Sequence, residues 1–265
     1  MSIGAPSPAH PAVPVRHRLS VENLNPAQLA DVRRVFGAAQ GVSDDRGYEH
    51  WAGIHGLPLP MYCTHGSPLF LPWHRAYLYF FELSLRDVGQ VESFAFPWWD
   101  WTSPASHAGG IPPAYADQQN NPLYSAAVDP AALSQGQASG NPMPARTQRQ
   151  PDVPGNLPTQ AEVGAALSLG DFLDFSTQIE DLHNRVHGWV GGHMSEIPFA
   201  AYDPIFWAHH SFIDRLWRLW QLQHPGATVP STLQQRALAP FPMTVVQTLD
   251  ATALGYDYAS TTSEP

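Results

Sequence analysis

Histidines stand in the middle of a segment that is otherwise apolar enough to be buried. The run IFWAHHSFIDRLWRLWQLQ, residues 205–223, reads as a core helix, yet His209 and His210 sit at its centre. Upstream, EDLHNRVHGWV places His183 and His187 four residues apart on another predicted helix. Side chains at i and i+4 share a helix face, so one metal ion can accept both imidazoles. A lone pair of this kind is about as often a core histidine satisfied by hydrogen bonds. A further pair buried on a neighbouring helix weakens that ordinary reading, because a third nitrogen is then within reach of the same ion.

The N-terminal half repeats the theme. His65 and His74 bracket GSPLFLPW, and His74 lies one turn into a predicted apolar helix. His50 and His55 lie upstream, so three imidazoles can again converge from two helices and a loop. There is one cysteine, Cys63, and no carboxylate at ligand spacing. Imidazole suits zinc, copper, iron and nickel, whereas non-haem iron usually takes a carboxylate in its facial triad. Three-histidine zinc hydrolases normally need a single ion with an open water position. Two adjacent all-histidine sites best suit copper, which cycles between two oxidation states on neutral nitrogen. A copper pair can bind O2 between the metals and deliver two electrons.

Composition removes other classes. Charged residues make up 14% of the 265, and 13 Lys+Arg against 23 Asp+Glu leave a net charge of −10, unsuited to nucleic acid. A hydrophobic content of 43% excludes wholesale disorder, and the single cysteine excludes a disulfide scaffold. No apolar run reaches the ~18 residues of a membrane span. The first residues lack a basic start followed by an apolar run, so the cytoplasm is the default location, with export alongside a partner as the alternative.

The expected architecture is mainly α: one domain over 1–265, with a four-helix bundle core holding a dinuclear copper site, long loops and a few short strands. Residues 1–20 read as an extended arm. The first helix opens on Asn25-Pro26, a cap followed by proline at the first helical position, and stops near Gly41. The second runs from after Ser43 to Gly56, and the third starts near Pro72. Residues 103–158, rich in Pro, Gly, Ala, Asn and Gln, read as a long surface loop excursion. A short helix follows near 160–168, then a core helix over 176–189. The last core helix has Asp203 as cap and Pro204 as first residue, and FPMTVVQTL suggests short strands.

Three blocks carry a family resemblance: CTHGSPLFLPWHRAYLYFFE at 63–82, PWWDW at 97–101, and LHNRVHGWVGGHM with DPIFWAHHSFIDRLW within 182–217. From about 48 to 221 the chain resembles the type-3 copper family of tyrosinases, catechol oxidases and oxygen-carrying units of molluscan haemocyanins. The resemblance implies one copper at His55, His65 and His74, with His50 competing for the first position, and a second at His183, His187 and His210. His209 becomes a supporting residue. The resemblance implies a thioether from Cys63 to the His65 ring, and a water held by Glu180 and Asn184 that helps deprotonate a phenol. Met194 and Ala200 are expected at the pocket mouth, and Phe206 in the pocket against a ligand ring. Asp203 is expected to cap its helix and to fix a ligand tautomer or bind Arg75, and Asp214 with Arg218 to form a structural i,i+4 pair. His10, His17, His107 and His224 are expected as plain surface residues. GYDY at 255–258 resembles the family's closing Tyr-x-Tyr signature, and with seven residues after it the entrance is expected to be open unless a separate protein covers it.

The activity implied is O2-dependent ortho-hydroxylation of monophenols and oxidation of o-diphenols to o-quinones on small phenolic substrates. A catechol or o-aminophenol oxidase and a reversible oxygen carrier are the alternatives, and bacterial relatives suggest a copper-delivery helper protein. The sequence sets no oligomeric state.

Overall fold

The computed structural model describes residues 15–259. Helix α1, Pro26–Gln40, begins as its capping chemistry requires: Asn25 accepts the Gln28 N–H while the Gln28 side chain reaches back to the Asn25 N–H. Helix α2, Tyr48–His55, starts later than Ser43 because the intervening residues fold into a tight turn. Gly47 closes that turn so closely that a Cβ there would lie 2.0 Å from the Val42 carbonyl oxygen. Helix α3, Phe70–Gly89, starts two residues before Pro72. That proline falls in the first turn, where its missing N–H has no helical partner to lose.

Three short helices follow: α4 (Pro104–Gly109), α5 (Pro113–Ala116) and α6 (Pro130–Ala138). They correct the expectation of a loop excursion over 103–158. Tyr115, Leu123, Ala126, Val128 and Ala132 are buried there, so the segment is a folded flank whose core residues are small and widely spaced. Arg149 fastens it, donating to the Asp203 carboxylate at 2.5 Å and to the carbonyls of Tyr115 and Leu123 at 2.7 and 3.0 Å. Asp203 therefore binds Arg149 and not Arg75.

Helix α7, Gln160–Leu167, has a second capping box at Thr159. Helix α8, Phe172–Val190, begins four residues before the expected 176 because Asp171 accepts the N–H groups of Leu173 and Asp174. Helix α9 spans Ile205–Gln223 with Pro204 at the cap position, and Asp203 accepts the Ile205 N–H at 3.1 Å. Helix α10 is the short turn Ser231–Gln234. FPMTVVQTL forms a 3-10 turn, Val245–Thr248, and not strands.

Helices α2, α3, α8 and α9 form the bundle, and all four carry histidines. Its centre is aromatic: Phe81 and Trp207 approach to 4.3 Å, and Phe96 stacks on Trp207 at 5.9 Å. PWWDW is buried as expected, with Trp98, Trp99 and Trp101 at most 2% exposed. The expected arm is extended where it is described, but it is packed into the fold. Strand β1, Arg16–Arg18, pairs in parallel with β2, Tyr256–Tyr258, and Arg18 is wholly buried. Residues 1–14, with His10, lie outside the described residues. Among the described residues, no helix is long and apolar enough to cross a membrane.

Candidate metal centre

Each ring of the first triad is fixed by its own stretch of chain. His55 closes α2 and its Nδ1–H donates to the Ile197 carbonyl at 3.1 Å. His74, in the first turns of α3, donates Nδ1–H to the Phe70 carbonyl at 2.8 Å. A carbonyl can only accept, so in both rings Nε2 carries the free lone pair. Both Nε2 atoms are buried without a hydrogen-bond partner. His65 comes from the loop before α3, and the three ring centroids form a triangle with sides of 5.3, 5.3 and 5.7 Å. His50 stays exposed five residues away, outside this cluster. The structure thus brings His55, and not His50, to the triad.

The second triad converges more tightly. The Nε2 atoms of His183 and His187 lie 3.2 and 3.4 Å from Nε2 of His210. His187 donates Nδ1–H to the Met194 carbonyl at 2.7 Å, and His183 Nδ1–H donates to the Asn184 side-chain oxygen at 3.0 Å. These outer bonds fix the tautomer and point the free nitrogens at one spot. His209 stacks on His183 at 5.0 Å and is also within reach of an ion, but it is His210 whose Nε2 meets the other two. The triads adjoin: His74 stacks on His210 at 4.4 Å, and His65 lies 5.7 Å from His183. His193 is the contrast. It is equally buried, but it accepts the Gln148 N–H and donates to the Pro144 carbonyl, leaving no nitrogen for an ion.

Electrostatics favour metal over protons. Burial lowers the proton affinity of His65 and His187 to about 4. Burial, and then neighbouring imidazoles, push His55, His74, His183 and His210 well below the ordinary histidine value. The rings therefore remain neutral, the form that binds a cation. Buried nitrogens aimed at two shared points, with no carboxylate among them, fit a pair of copper ions. Burial pushes the Cys63 thiol up to about 12, so without a metal it stays protonated at neutral pH; its Sγ lies 3.5 Å from His65 Nδ1.

The depressed affinities predict a pH dependence. The unfolded chain takes up protons near the ordinary histidine value of ~6.5, whereas the folded rings refuse them until about 4. The unfolded state binds more protons across that window, so metal-free stability falls as pH drops through it. Urea titrations of metal-free protein at pH ~7.5 and ~5 should differ by roughly 2 kcal/mol or more. A metal-free midpoint indifferent to pH would contradict the buried neutral rings.

A cleft of ≈ 590 Å³ reaches the rings from solvent. Met194 and Ala200 line it although each is only 1% exposed. Phe206 is buried beneath the rings, 4.1 Å from His210 and 4.9 Å from His55. Glu180 and Asn184 stand on the cleft wall, and Glu180 accepts the Gly66 N–H at 2.6 Å. Burial raises the Glu180 carboxyl and the Gly66 bond offsets part of that rise. The sequence reading missed Gly66, Leu173, Asp181 and Ile197, which also line the cleft. Helical spacing carried a signal for Asp181, three residues before Asn184 and so on the same face of α8. His107 and His224 are half-buried rather than plain surface, bonded to the carbonyls of Pro158 and Leu167, whereas His17 is exposed.

A family model described as the common central domain of tyrosinase matches residues 45–223. Haemocyanin units G and H of Sepia officinalis are 32% identical over 217 residues, 77% of this chain and 37% of that protein. The chain thus spans little more than a third of that relative. Streptomyces glaucescens tyrosinase is 35% identical over 187 residues, 62% of this chain and 66% of that enzyme. A functional unit of octopus haemocyanin superposes with a TM-score of 0.80 at 27% identity, covering 93% of this chain and 68% of the other. Recombinant mushroom tyrosinase gives 0.77 at 23% identity, covering 93% and 63%, a likeness of fold. The match over most of the chain, on a helical bundle whose histidines meet in two adjoining groups, makes this a member of the tyrosinase family of type-3 copper proteins.

Proposed function

We propose that this chain oxidises small phenols with O2, hydroxylating monophenols at the ortho position and converting o-diphenols to o-quinones. His55, His65 and His74 would hold one copper ion, and His183, His187 and His210 the other. When bound, the copper pair supplies O2 binding and the two-electron redox step. The chain's own residues bind, orient and move a proton. The observation that carries the reading is a cleft open to solvent that ends on the imidazole rings, with a buried carboxylate on its wall.

Glu180 would take the phenol proton through a water shared with the Asn184 side chain. Its burial makes it the stronger base, and the Gly66 N–H fixes its orientation. Asn184 has a second task, because its side-chain oxygen already holds the His183 ring. Cys63, beside the His65 ring, would form the thioether, losing two hydrogen atoms with O2 as the two-electron oxidant. The bond would hold that ring in place.

Glu180→Gln tests the proton step. Monophenol kcat/KM should fall roughly 100-fold, the usual worth of a positioned base. Diphenol kcat/KM should fall much less, since a diphenol's first proton is more easily lost. Equal losses on matched substrates would remove Glu180 from this role. A second reading, reversible oxygen carriage, draws support from the identity to haemocyanin units. It predicts reversible O2 binding with no turnover of any phenol.

A further inference from the structure

Above the imidazole floor, the cleft wall carries charge of one sign. Glu180 and Asp181 line it, and no lysine or arginine does. Asp181 is exposed, and its charge lies close enough to raise the Glu180 carboxyl after burial has done so. The cation nearest in sequence, Arg185, pairs with Glu162 at 2.5 Å and does not line the cleft. The other exposed lining residues are uncharged, with Leu173 39% and Ile197 48% exposed beside Thr177, Asn184 and Ser195. Both rings at the deep end, His55 and His183, are only 1% exposed.

A phenol that presents its oxygen to the rings holds its para substituent toward the opening, because the aromatic ring is flat and rigid. In that pose the substituent would meet Asp181 and the exposed Leu173 and Ile197. We propose that the cleft selects phenols whose para substituent is cationic or neutral, arylalkylamines above all, against arylalkyl carboxylates, and that Asp181 sets this preference. The inference rests on the reading of the cleft as a phenol site. A unit charge about 6 Å from a carboxylate, at a dielectric between those of water and protein, changes binding roughly tenfold. Like charge brought to the same place is penalised in the same measure.

The test uses copper-loaded protein in air with three matched diphenols: dopamine, 4-ethylcatechol and 3,4-dihydroxyphenylacetate. The kcat/KM values should descend in that order, with roughly tenfold or more between amine and acid at low salt. The spread should shrink at high salt, where exposed charges are screened. Asp181→Asn should narrow the spread to a few-fold and Asp181→Lys should reverse it. Asp87→Asn removes the same charge from the far end of α3, thirteen residues or ~20 Å from His74, and should leave the spread unchanged. A second readout needs no turnover: under argon, ligand-observed NMR should rank tyramine, 4-ethylphenol and 4-hydroxyphenylacetate in the same order on the copper(I) protein. Equal values across a series, or preference for the acid, would overturn the inference. If 4-ethylcatechol is not oxidised in air, the phenol-oxidase reading fails, and the binding order under argon still decides the role of Asp181.

Discussion

His210→Ala should bind one copper per chain instead of two and, if the chain oxidises phenols as proposed, should lose that activity by more than ~1000-fold, the scale expected when a group acting as a unit with others is removed. The expectation follows from the shape of the second triad. His183 and His187 are one turn apart on a single helix, and of the two α9 histidines within reach it is His210 whose Nε2 lies against theirs, at 3.2 and 3.4 Å. Two imidazoles from one helix leave the ion half-held, whereas the first triad is untouched. Elemental analysis gives the copper count, and matched monophenol and diphenol assays give the activity. Intact mass supplies a second readout. If thioether formation draws on O2 reduction at the pair, wild type should show the deficit of two hydrogen atoms and His210→Ala should not. His209→Ala is the control for mere loss of a buried ring: it should keep two coppers while losing some stability. Two coppers retained in His210→Ala, or one lost in His209→Ala, would reassign the second site.

The legible part of this centre was the part with helical periodicity. His183 and His187 announce themselves by spacing, and His209-His210 by standing in an apolar run. His55 over His50 was harder, since both precede the loop. The structure separates them because α2 turns one toward the bundle and leaves the other in solvent. The lip of the cleft was mostly illegible for a different reason. Ile197 and Gly66 come from irregular segments whose position depends on what they pack against, not on local pattern. The 103–158 segment misled through composition: its buried residues are largely alanines and single large side chains, too sparse to register as a core until Arg149 ties them to Asp203. Charge pairing was misread for a related reason. An i,i+4 pair of Asp214 and Arg218 was the local solution, but Arg218 binds Asp257 and Asp214 turns inward to partners far away in sequence. Tertiary demand overrides a helical pair worth only ~0.5 kcal/mol.

That inward turn makes Asp214 the most consequential residue outside the histidines. One oxygen accepts from Arg75 at 2.5 Å, and the other from Arg18 at 3.1 Å, Tyr256 at 2.7 Å and Tyr258 at 2.5 Å. Four elements, β1, α3, α9 and β2, thereby meet on a single carboxylate that is 4% exposed. Arg75 follows His74 and Asp214 lies one turn beyond His210, so the pair also holds the two helices at the spacing where those rings stack at 4.4 Å. Arg18 has Glu82 as a second partner, whereas Arg75 relies on Asp214 for charge and on carbonyls, Gln221 and the Trp217 face for the rest. Asp214→Asn strands that guanidinium in the core, which should cost about 3–5 kcal/mol. The melting temperature should fall by roughly 10 °C. The double variant Asp214→Leu with Arg75→Met should recover much of the loss, because what destabilises is the uncompensated charge and not the absence of the pair. The loss should also depend on pH in a defined sense. Burial raises the Asp214 carboxyl, but Arg75 and Arg18 outweigh it and hold the group below the ordinary carboxylate range. Its contribution is therefore complete above ~pH 4 and fades as pH falls through the lowered folded value. Urea titrations of wild type and Asp214→Asn should run parallel from neutral pH down to about 4.5 and converge below it. A gap under ~1 kcal/mol at neutral pH, or one that widens in acid, would show that the four elements are held together by their apolar packing alone.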